Sequence, residues 1–211
     1  MDANQRKAMQ AVIKETLSNL EENGFGAAYV TDREELLSLI RAMVPEGSKT
    51  AVGGSETLLE TGVLDFLKEK TQFIEDRRRA YEADFYLASA NAVTTHGELY
   101  EVDGRSNRVS AMLFGPDKVI VIAGINKLVP NLRSAAERVK NTAAPPNCIR
   151  LGRDTPCSKT GHCVAPHFDE RHLSALGCTS DERICSNTVI FSRQMLKGRI
   201  TVIIIGEEYG Y

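Results

Sequence analysis

The chain has 211 residues, of which 42% are hydrophobic and 26% are charged, and its net charge is −2. This length and balance are typical of one α/β domain and argue against a disordered chain or a nucleic-acid-binding protein. No apolar signal segment follows the first residues, and the apolar runs Val119–Ala123 and Ile200–Ile205 are too short to cross a bilayer. We therefore expect a cytoplasmic protein with reduced cysteines and no membrane partner.

The first part of the chain alternates helices with strands. Residues 4–23 carry apolar side chains at helical spacing, and Ala27–Val30 has the pattern of a short strand. Thr31–Glu34 has the spacing of a capping box, which predicts the start of the next helix. Lys49–Val52 is then predicted to be a strand that leads through Gly53–Ser55 into another helix.

The second part continues this alternation. Residues 84–109 combine apolar strand segments with polar turns. Val119–Ala123 and Ile200–Ile205 are continuous apolar runs, which is the pattern of parallel strands buried on both faces. The helix that opens at Pro130 is expected to be broken at Ala143–Pro146, because proline disrupts a helix interior.

The element order predicts the fold class. Strands that alternate with helices favour an α/β fold with a mostly parallel, doubly wound sheet. We expect a single domain over residues 1–211 that begins with an N-terminal helix within residues 1–24. Residues 150–190 fit the alternation poorly and are expected to form an irregular, cysteine-bearing excursion before the last strand.

Polar side chains and glycines follow several predicted strands. In open α/β sheets ligands bind beyond the carboxyl ends of the strands, so these residues are candidates for a pocket. Glu98 and Asp103 are the candidate catalytic carboxylates. The candidate ligand-binding residues are Gly53, Gly54, Ser55, Asn91, Thr95, Gly97, Gly104, Asn107, Arg108, Asn126 and Lys127. The same residue types are common in turns and helix caps, so a purely structural role is the alternative.

A group of cysteines near the C-terminus suggests a second kind of chemistry. Cys157, Cys163, Cys178 and Cys185 lie in the irregular region, where a soft metal would stabilise a segment with little core of its own. Zinc and an iron–sulfur cluster are both compatible with four thiolates, although the spacing matches neither standard signature. The alternative is a set of free, partly buried thiols.

An ordered set of motifs resembles a known family. The motifs are Ser89–Val93, Gly97–Leu99, Asp103–Gly104, Asn107–Val109, Phe114–Pro116, Gly124–Lys127, Thr155–Cys157, Cys163 and Arg183–Cys185. Together they resemble the LUD (lactate utilisation) domain family, formerly DUF162, and specifically its short single-domain members with a C-terminal cysteine cluster. The interval between Cys163 and Cys178 is longer here than in the family pattern.

The resemblance implies a sugar-phosphate-isomerase/CoA-transferase-like fold and a lactate-utilisation-type role in the redox metabolism of a small hydroxy or keto acid. It also implies that the four cysteines could hold an iron–sulfur cluster and that redox proteins are partners. An isomerase- or transferase-like enzyme for a small anionic metabolite, such as a sugar phosphate or CoA ester, is one alternative. A non-catalytic domain with structural zinc is the other, and a homo-oligomer is compatible with all three.

Overall fold

The computed structural model describes residues 2–165 and 177–211. Within these ranges the helices are α1 Ala3–Glu22, α2 Arg33–Met43, α3 Glu56–Glu60, α4 Val63–Lys70, α5 Asn107–Leu113, α6 Leu132–Arg138, α7 Ala144–Arg150 and α8 Pro156–Thr160. The strands are β1 Gly26–Val30, β2 Lys49–Val52, β3 Gln72–Phe73, β4 Phe85–Ala88, β5 Ala92–Thr94, β6 Leu99–Asp103, β7 Lys118–Gly124, β8 Leu128–Val129, β9 Asn187–Phe191 and β10 Ile200–Ile205. No described helix is both long and apolar enough to cross a membrane.

A six-stranded parallel sheet forms the centre of the molecule, in the order β1-β10-β7-β4-β2-β3. Its central strand β7 is buried on both faces because alternate side chains enter two different cores. Val119 and Val121 pack in one core with residues of α1 and α5, whereas Ile120 and Ile122 pack in the other with residues of α2, α3 and α4. The prediction of a mostly parallel α/β fold is confirmed.

A second, four-stranded sheet with the order β8-β5-β6-β9 was not predicted from the sequence. Its strands β5 and β6 are antiparallel, and β9 pairs antiparallel with β6. The apolar side chains of α6 pack against Ala92, Tyr100 and Val129 of this sheet. Strand β9 overlaps the end of residues 150–190, so the last residues of the predicted irregular excursion are regular in the structure.

Two local predictions were wrong. Asp32, rather than a Thr31–Glu34 capping box, caps α2, since its carboxylate accepts hydrogen bonds from the backbone N–H groups of Glu34 and Glu35. The chain also stays helical through Ala143–Pro146. A π-helical turn at Val139–Ala143 precedes Pro145 and Pro146. Proline has no N–H to donate and its ring crowds the carbonyl one turn earlier, and the wider π-helical turn accommodates both effects.

Gly97 fixes the hairpin between β5 and β6 against α1. Its φ is +77°, and a Cβ atom placed on it would lie 2.5 Å from the carbonyl carbon of Asn19 and 2.6 Å from the backbone nitrogen of Leu20. Asn19 also donates a hydrogen bond to the Thr95 carbonyl, at 2.7 Å. This close approach of two backbones requires glycine.

We expect Gly97→Ala to destabilise the protein strongly, because it adds a backbone clash to the strain of a left-handed alanine. Gly47→Ala is the matched control, since Gly47 has a φ of +79° with nothing within 4 Å of its added Cβ. The strain alone costs about 1–2 kcal/mol, and overpacking adds roughly 1–3 kcal/mol. Urea unfolding measures both variants, and equal losses would contradict the close packing at Gly97.

Candidate functional site

A pocket of about 570 Å³ lies beyond the carboxyl ends of β2, β4 and β7. Thr57 follows β2, Ser89 follows β4, and Lys127 ends the short 3₁₀ turn that follows β7. The opposite wall comes from α7, the loop after it and residues 181–186. The pocket therefore lies at the edge where open parallel sheets bind ligands, and the cysteine-bearing region closes it.

The lining of this pocket is rich in cations. Glu56, Asp103, Asp181 and Glu182 are its acidic side chains. The basic side chains outnumber them and are Arg77, Arg105, Arg108, Lys127, Arg150, Arg153 and Arg183. The Nε atom of Arg153 is buried and has no hydrogen-bond partner among the described residues. Such a lining favours an anionic ligand.

The Arg108 guanidinium organises the floor of the pocket. One nitrogen, Nη1, donates to the Ser89 carbonyl at 2.8 Å and pairs with the buried carboxylate of Glu101. The other, Nη2, donates to Asn91 Oδ1 at 2.8 Å and to the Val102 carbonyl at 3.0 Å. These bonds join the end of β4 to β6, so Arg108 holds elements of both sheets together.

The Glu101 carboxylate is completely buried. Desolvation raises the pKa of this carboxyl, and the adjacent Arg108 opposes that rise. Oxygen Oε2 contacts Arg108, whereas Oε1 has no hydrogen-bond partner among the described residues. Removing either member of the pair would leave the other as an uncompensated buried group.

Asp103 lines the pocket, but its carboxylate is committed to the backbone. Oδ1 accepts from the N–H groups of Arg105 and Ser106, both at 3.1 Å, and Oδ2 accepts from the N–H of Arg108 at 3.0 Å. Asp103 thus ties the end of β6 to the first turn of α5. Gly104 and Asn107 line the same side of the pocket.

Lys127 is almost completely buried at the centre of the pocket floor, with 3% of its surface exposed. Its Nζ donates to Thr57 Oγ1 at 2.8 Å and to Ser89 Oγ at 2.7 Å. Burial lowers the pKa of this amine to about 7, and the positive charges of Arg138 and Arg108 contribute to the decrease. The amine is therefore present in both protonation states near neutral pH.

Two of the predicted glycines provide space at the pocket. A Cβ on Gly53 would lie 2.6 Å from Cγ of Arg108, so glycine is needed here for the arginine to reach Glu101 and Asn91. Gly54 lines the pocket beside Arg77. Ser55 also lines it and caps α3 by accepting a hydrogen bond from the Leu58 N–H at 3.3 Å.

Several predicted site residues lie outside the pocket lining. Thr95, Gly97 and Glu98 form the hairpin that faces α1, where Glu98 Oε2 accepts from Thr94 Oγ1 at 3.0 Å. The amide of Asn126 donates to the carbonyl of Gly210 at 3.0 Å and fixes the C-terminal segment. The structure therefore places the hairpin residues and Asn126 outside the pocket lining. The predicted site residues that it brings together at the pocket are Gly54, Ser55, Asn91, Asp103, Gly104, Asn107, Arg108 and Lys127.

Three of the cysteines lie in or next to the elements that form the opposite wall of the pocket: Cys148 in α7, Cys157 in α8 and Cys185 within residues 181–186. Cys148 of α7 and Cys157 of α8 have their sulfur atoms 3.8 Å apart. Burial raises the pKa of the Cys148 thiol to about 11, with further contributions from Cys157 and Cys185. Lys140 Nζ donates to the sulfur of Cys185 at 3.4 Å, and its backbone carbonyl accepts from the N–H of Cys163 at 3.1 Å.

The spacing of Cys148 and Cys157 allows two interpretations. Two thiolates on one tetrahedral zinc, with Zn–S bonds of about 2.3 Å, are roughly 3.8 Å apart. A hydrogen bond between two thiols accounts for the same distance. Within residues 2–165 and 177–211, no three His, Cys, Asp or Glu side chains are arranged to hold a metal ion. The described side chains thus do not form a complete metal site. His167 and His172 lie between Cys163 and Cys178 in the sequence and are further candidate ligands by residue type, but they are outside the described residues.

Sequence reasoning missed Thr57, Ser89, Glu101, Arg138 and Cys148. Glu101 had a visible signal, since it is a charged residue within the otherwise apolar first part of Leu99–Asp103. Arg138 donates from Nε to the Asn126 carbonyl at 2.8 Å and from Nη1 to the Asn91 carbonyl at 2.6 Å. Thr57 and Ser89 gave no such signal, because hydroxyl residues near helix starts and strand ends are common.

Comparison with known proteins places the chain in a family. The model of the LUD domain matches residues 13–205. Among solved structures, a DUF162 family protein from Deinococcus radiodurans is similar with a TM-score of 0.52 and 13% identity, over 93% of this chain and 97% of that one. The eIF2B beta structure from Chaetomium thermophilum has a TM-score of 0.37 and 13% identity, over 47% of this chain and 43% of that one. The curated proteins yielded no match. Because the family model spans nearly the whole chain, the protein belongs to the LUD domain family.

Proposed function

We propose that this LUD-family protein binds a small hydroxy or keto acid in the basic pocket and serves the redox metabolism of that acid. The single observation that carries the proposal is the number of arginines that line the same pocket as Lys127, beyond the carboxyl ends of the parallel strands. Membership of a lactate-utilisation-type family supports the choice of a carboxylate over other anions.

The pocket offers groups that a carboxylate could use. Arg153 has a buried Nε without a partner among the described residues, and Arg77 and Arg105 are exposed at the rim. Arginine is suited to this task because its planar fork can bind both oxygens of a carboxylate. The pocket volume of about 570 Å³ exceeds what a three-carbon acid needs, which leaves room for a second reactant.

Catalytic roles for Glu98 and Asp103 stay predictions. Asp103 lines the pocket but already accepts hydrogen bonds from four backbone N–H groups, and Glu98 lies in the hairpin. A cytoplasmic location, redox protein partners and assembly of identical subunits also stay predictions. A phosphorylated ligand is the alternative anion, because the same arginines would bind phosphate.

The second candidate function is metal or cluster binding at the cysteines, here Cys157, Cys163, Cys178 and Cys185. The observation that favours it is the position of Cys157 Sγ 3.8 Å from the sulfur of Cys148, a fifth cysteine outside the predicted set, at the separation of two thiolates on one metal. The cysteines would have to move closer together, because the described side chains do not form a complete site. An iron–sulfur cluster would give the protein an electron carrier, whereas zinc would stabilise its fold.

The pocket proposal predicts that Arg153→Gln weakens the binding of pyruvate and L-lactate by about tenfold or more, since a charge-assisted hydrogen bond contributes about 1.5–3 kcal/mol. Isothermal titration calorimetry measures both ligands. Arg6→Gln, at an exposed position on α1, is the control and should bind like the unchanged protein.

Inorganic phosphate is the third ligand in the same titration. Binding of pyruvate or L-lactate that depends on Arg153 supports the hydroxy or keto acid proposal. Binding of phosphate alone would replace that proposal with the phosphorylated-ligand alternative. Heats that are absent for all three anions would contradict an anion-binding pocket.

The cysteine proposal predicts that protein purified without air contains iron and acid-labile sulfide and absorbs visible light. Cys157→Ser should abolish both signals, because serine is a poor ligand for a soft metal. Colourless protein with stoichiometric zinc would favour the structural alternative. Absence of both metals would leave Cys148 and Cys157 as a pair of hydrogen-bonded thiols.

A further inference from the structure

The amine of Lys127 is held in an unusual environment for a lysine. Its two described hydrogen-bond acceptors are the hydroxyl oxygens of Thr57 and Ser89, and both residues are themselves buried. A neutral amine has two N–H groups and one lone pair, whereas an ammonium group has three N–H groups. The two hydroxyls therefore satisfy every N–H group of the neutral form.

Some of the charges around Lys127 raise its pKa and others lower it. Glu101 and Glu60 favour its protonated form, whereas Arg138 and Arg108 oppose it. Desolvation is the largest effect, so the pKa of Lys127 falls to about 7. The uncharged amine is then far more abundant at neutral pH than in a solvated lysine of ordinary pKa, where it makes up roughly one molecule in 2,500.

The surrounding groups also fix where this amine lies. Ser89 is held through its carbonyl by Arg108, at 2.8 Å, and Thr57 donates to the Tyr209 carbonyl at 3.2 Å. Lys127 ends the 3₁₀ turn between β7 and β8, so its backbone is held between strands of the two sheets. A buried, immobilised and partly uncharged amine in a cationic pocket has the properties of a nucleophilic lysine.

We propose that Lys127 is a catalytic nucleophile that forms an imine with the carbonyl group of a 2-keto acid. The inference rests on the proposed function and narrows its ligand to the keto acid. The arginines of the pocket would hold the carboxylate, and the adjacent keto carbon would then face the amine.

The proposed step conserves atoms and electrons. The lone pair of Lys127 Nζ forms a bond to the keto carbon, the carbonyl π bond breaks, and one N–H proton moves to the oxygen. The resulting hydroxyl leaves together with the second N–H proton as water, and a C=N bond remains. The Thr57 and Ser89 hydroxyls, both within 2.8 Å of Nζ, are placed to relay these protons. No oxidant or reductant is required, and addition of water reverses the reaction.

The test is reductive trapping with pyruvate and cyanoborohydride, followed by peptide mapping with mass spectrometry. We expect the pyruvate adduct on Lys127 to exceed that on Lys118 by at least tenfold at pH 7. Lys118 is the internal control because it is exposed and begins the same strand, β7. Between pH 8 and pH 6, labelling of Lys127 should fall about tenfold, whereas labelling of a solvated lysine should fall about a hundredfold.

Two variants assign the adduct without relying on activity. Lys127→Met and Lys127→Arg should both lose the adduct, whereas Lys118→Arg should retain it at Lys127. Mapping of the unchanged protein keeps the test valid if a Lys127 variant does not fold.

Calorimetry with pyruvate separates the two ways in which the inference could fail. If the unchanged protein binds pyruvate but Lys127 is labelled no more than Lys118, the imine is ruled out and the binding proposal stands. If the protein does not bind pyruvate and shows no adduct at Lys127, the keto acid proposal and the imine fail together.

Discussion

The buried pair of Arg108 and Glu101 is the interaction on which the architecture of the pocket depends. The guanidinium lies between the parallel sheet and the second sheet and contacts the chain after β4, Asn91 and the interior of β6. A charge pair in such a place is a poor source of net stability, because both ions lose their hydration. Its value is positional, since each lost or misplaced bond would leave a buried polar group without a partner.

The rest of the site follows from this constraint. Gly53 gives the arginine room, and Asp103 fixes the start of the helix that carries it. Ser89, held by Arg108, in turn presents its hydroxyl to Lys127. A chain of contacts thus runs from one ion pair to the amine at the pocket floor, and apart from Glu101, in the middle of β6, its members follow the ends of strands.

The sequence was informative where local chemistry determines the outcome. The apolar run at Val119–Ala123 predicted the central parallel strand, and Gly54, Asp103, Gly104 and Lys127 were predicted near strand ends, where they line one pocket. It was uninformative where a residue acts through partners far along the chain. Glu98 and Asp103 are both carboxylates in polar turns next to strands of the predicted sheet, and the sequence does not distinguish them. In the structure Asp103 lines the pocket, whereas Glu98 lies in the β5–β6 hairpin, which tertiary packing directs toward α1.

The position of Cys185 has a consequence for both candidate sites. Its neighbours on either side, Ile184 and Ser186, line the pocket, while its sulfur accepts a hydrogen bond from Lys140 of the helix that continues into α7. A ligand on this sulfur that shifts the local backbone would change the affinity of the pocket for its anion. By thermodynamic reciprocity, a bound anion would change the affinity of the sulfur for its own ligand by the same factor. Anion binding in the pocket and ligand binding at the cysteine would then be linked by a single coupling free energy.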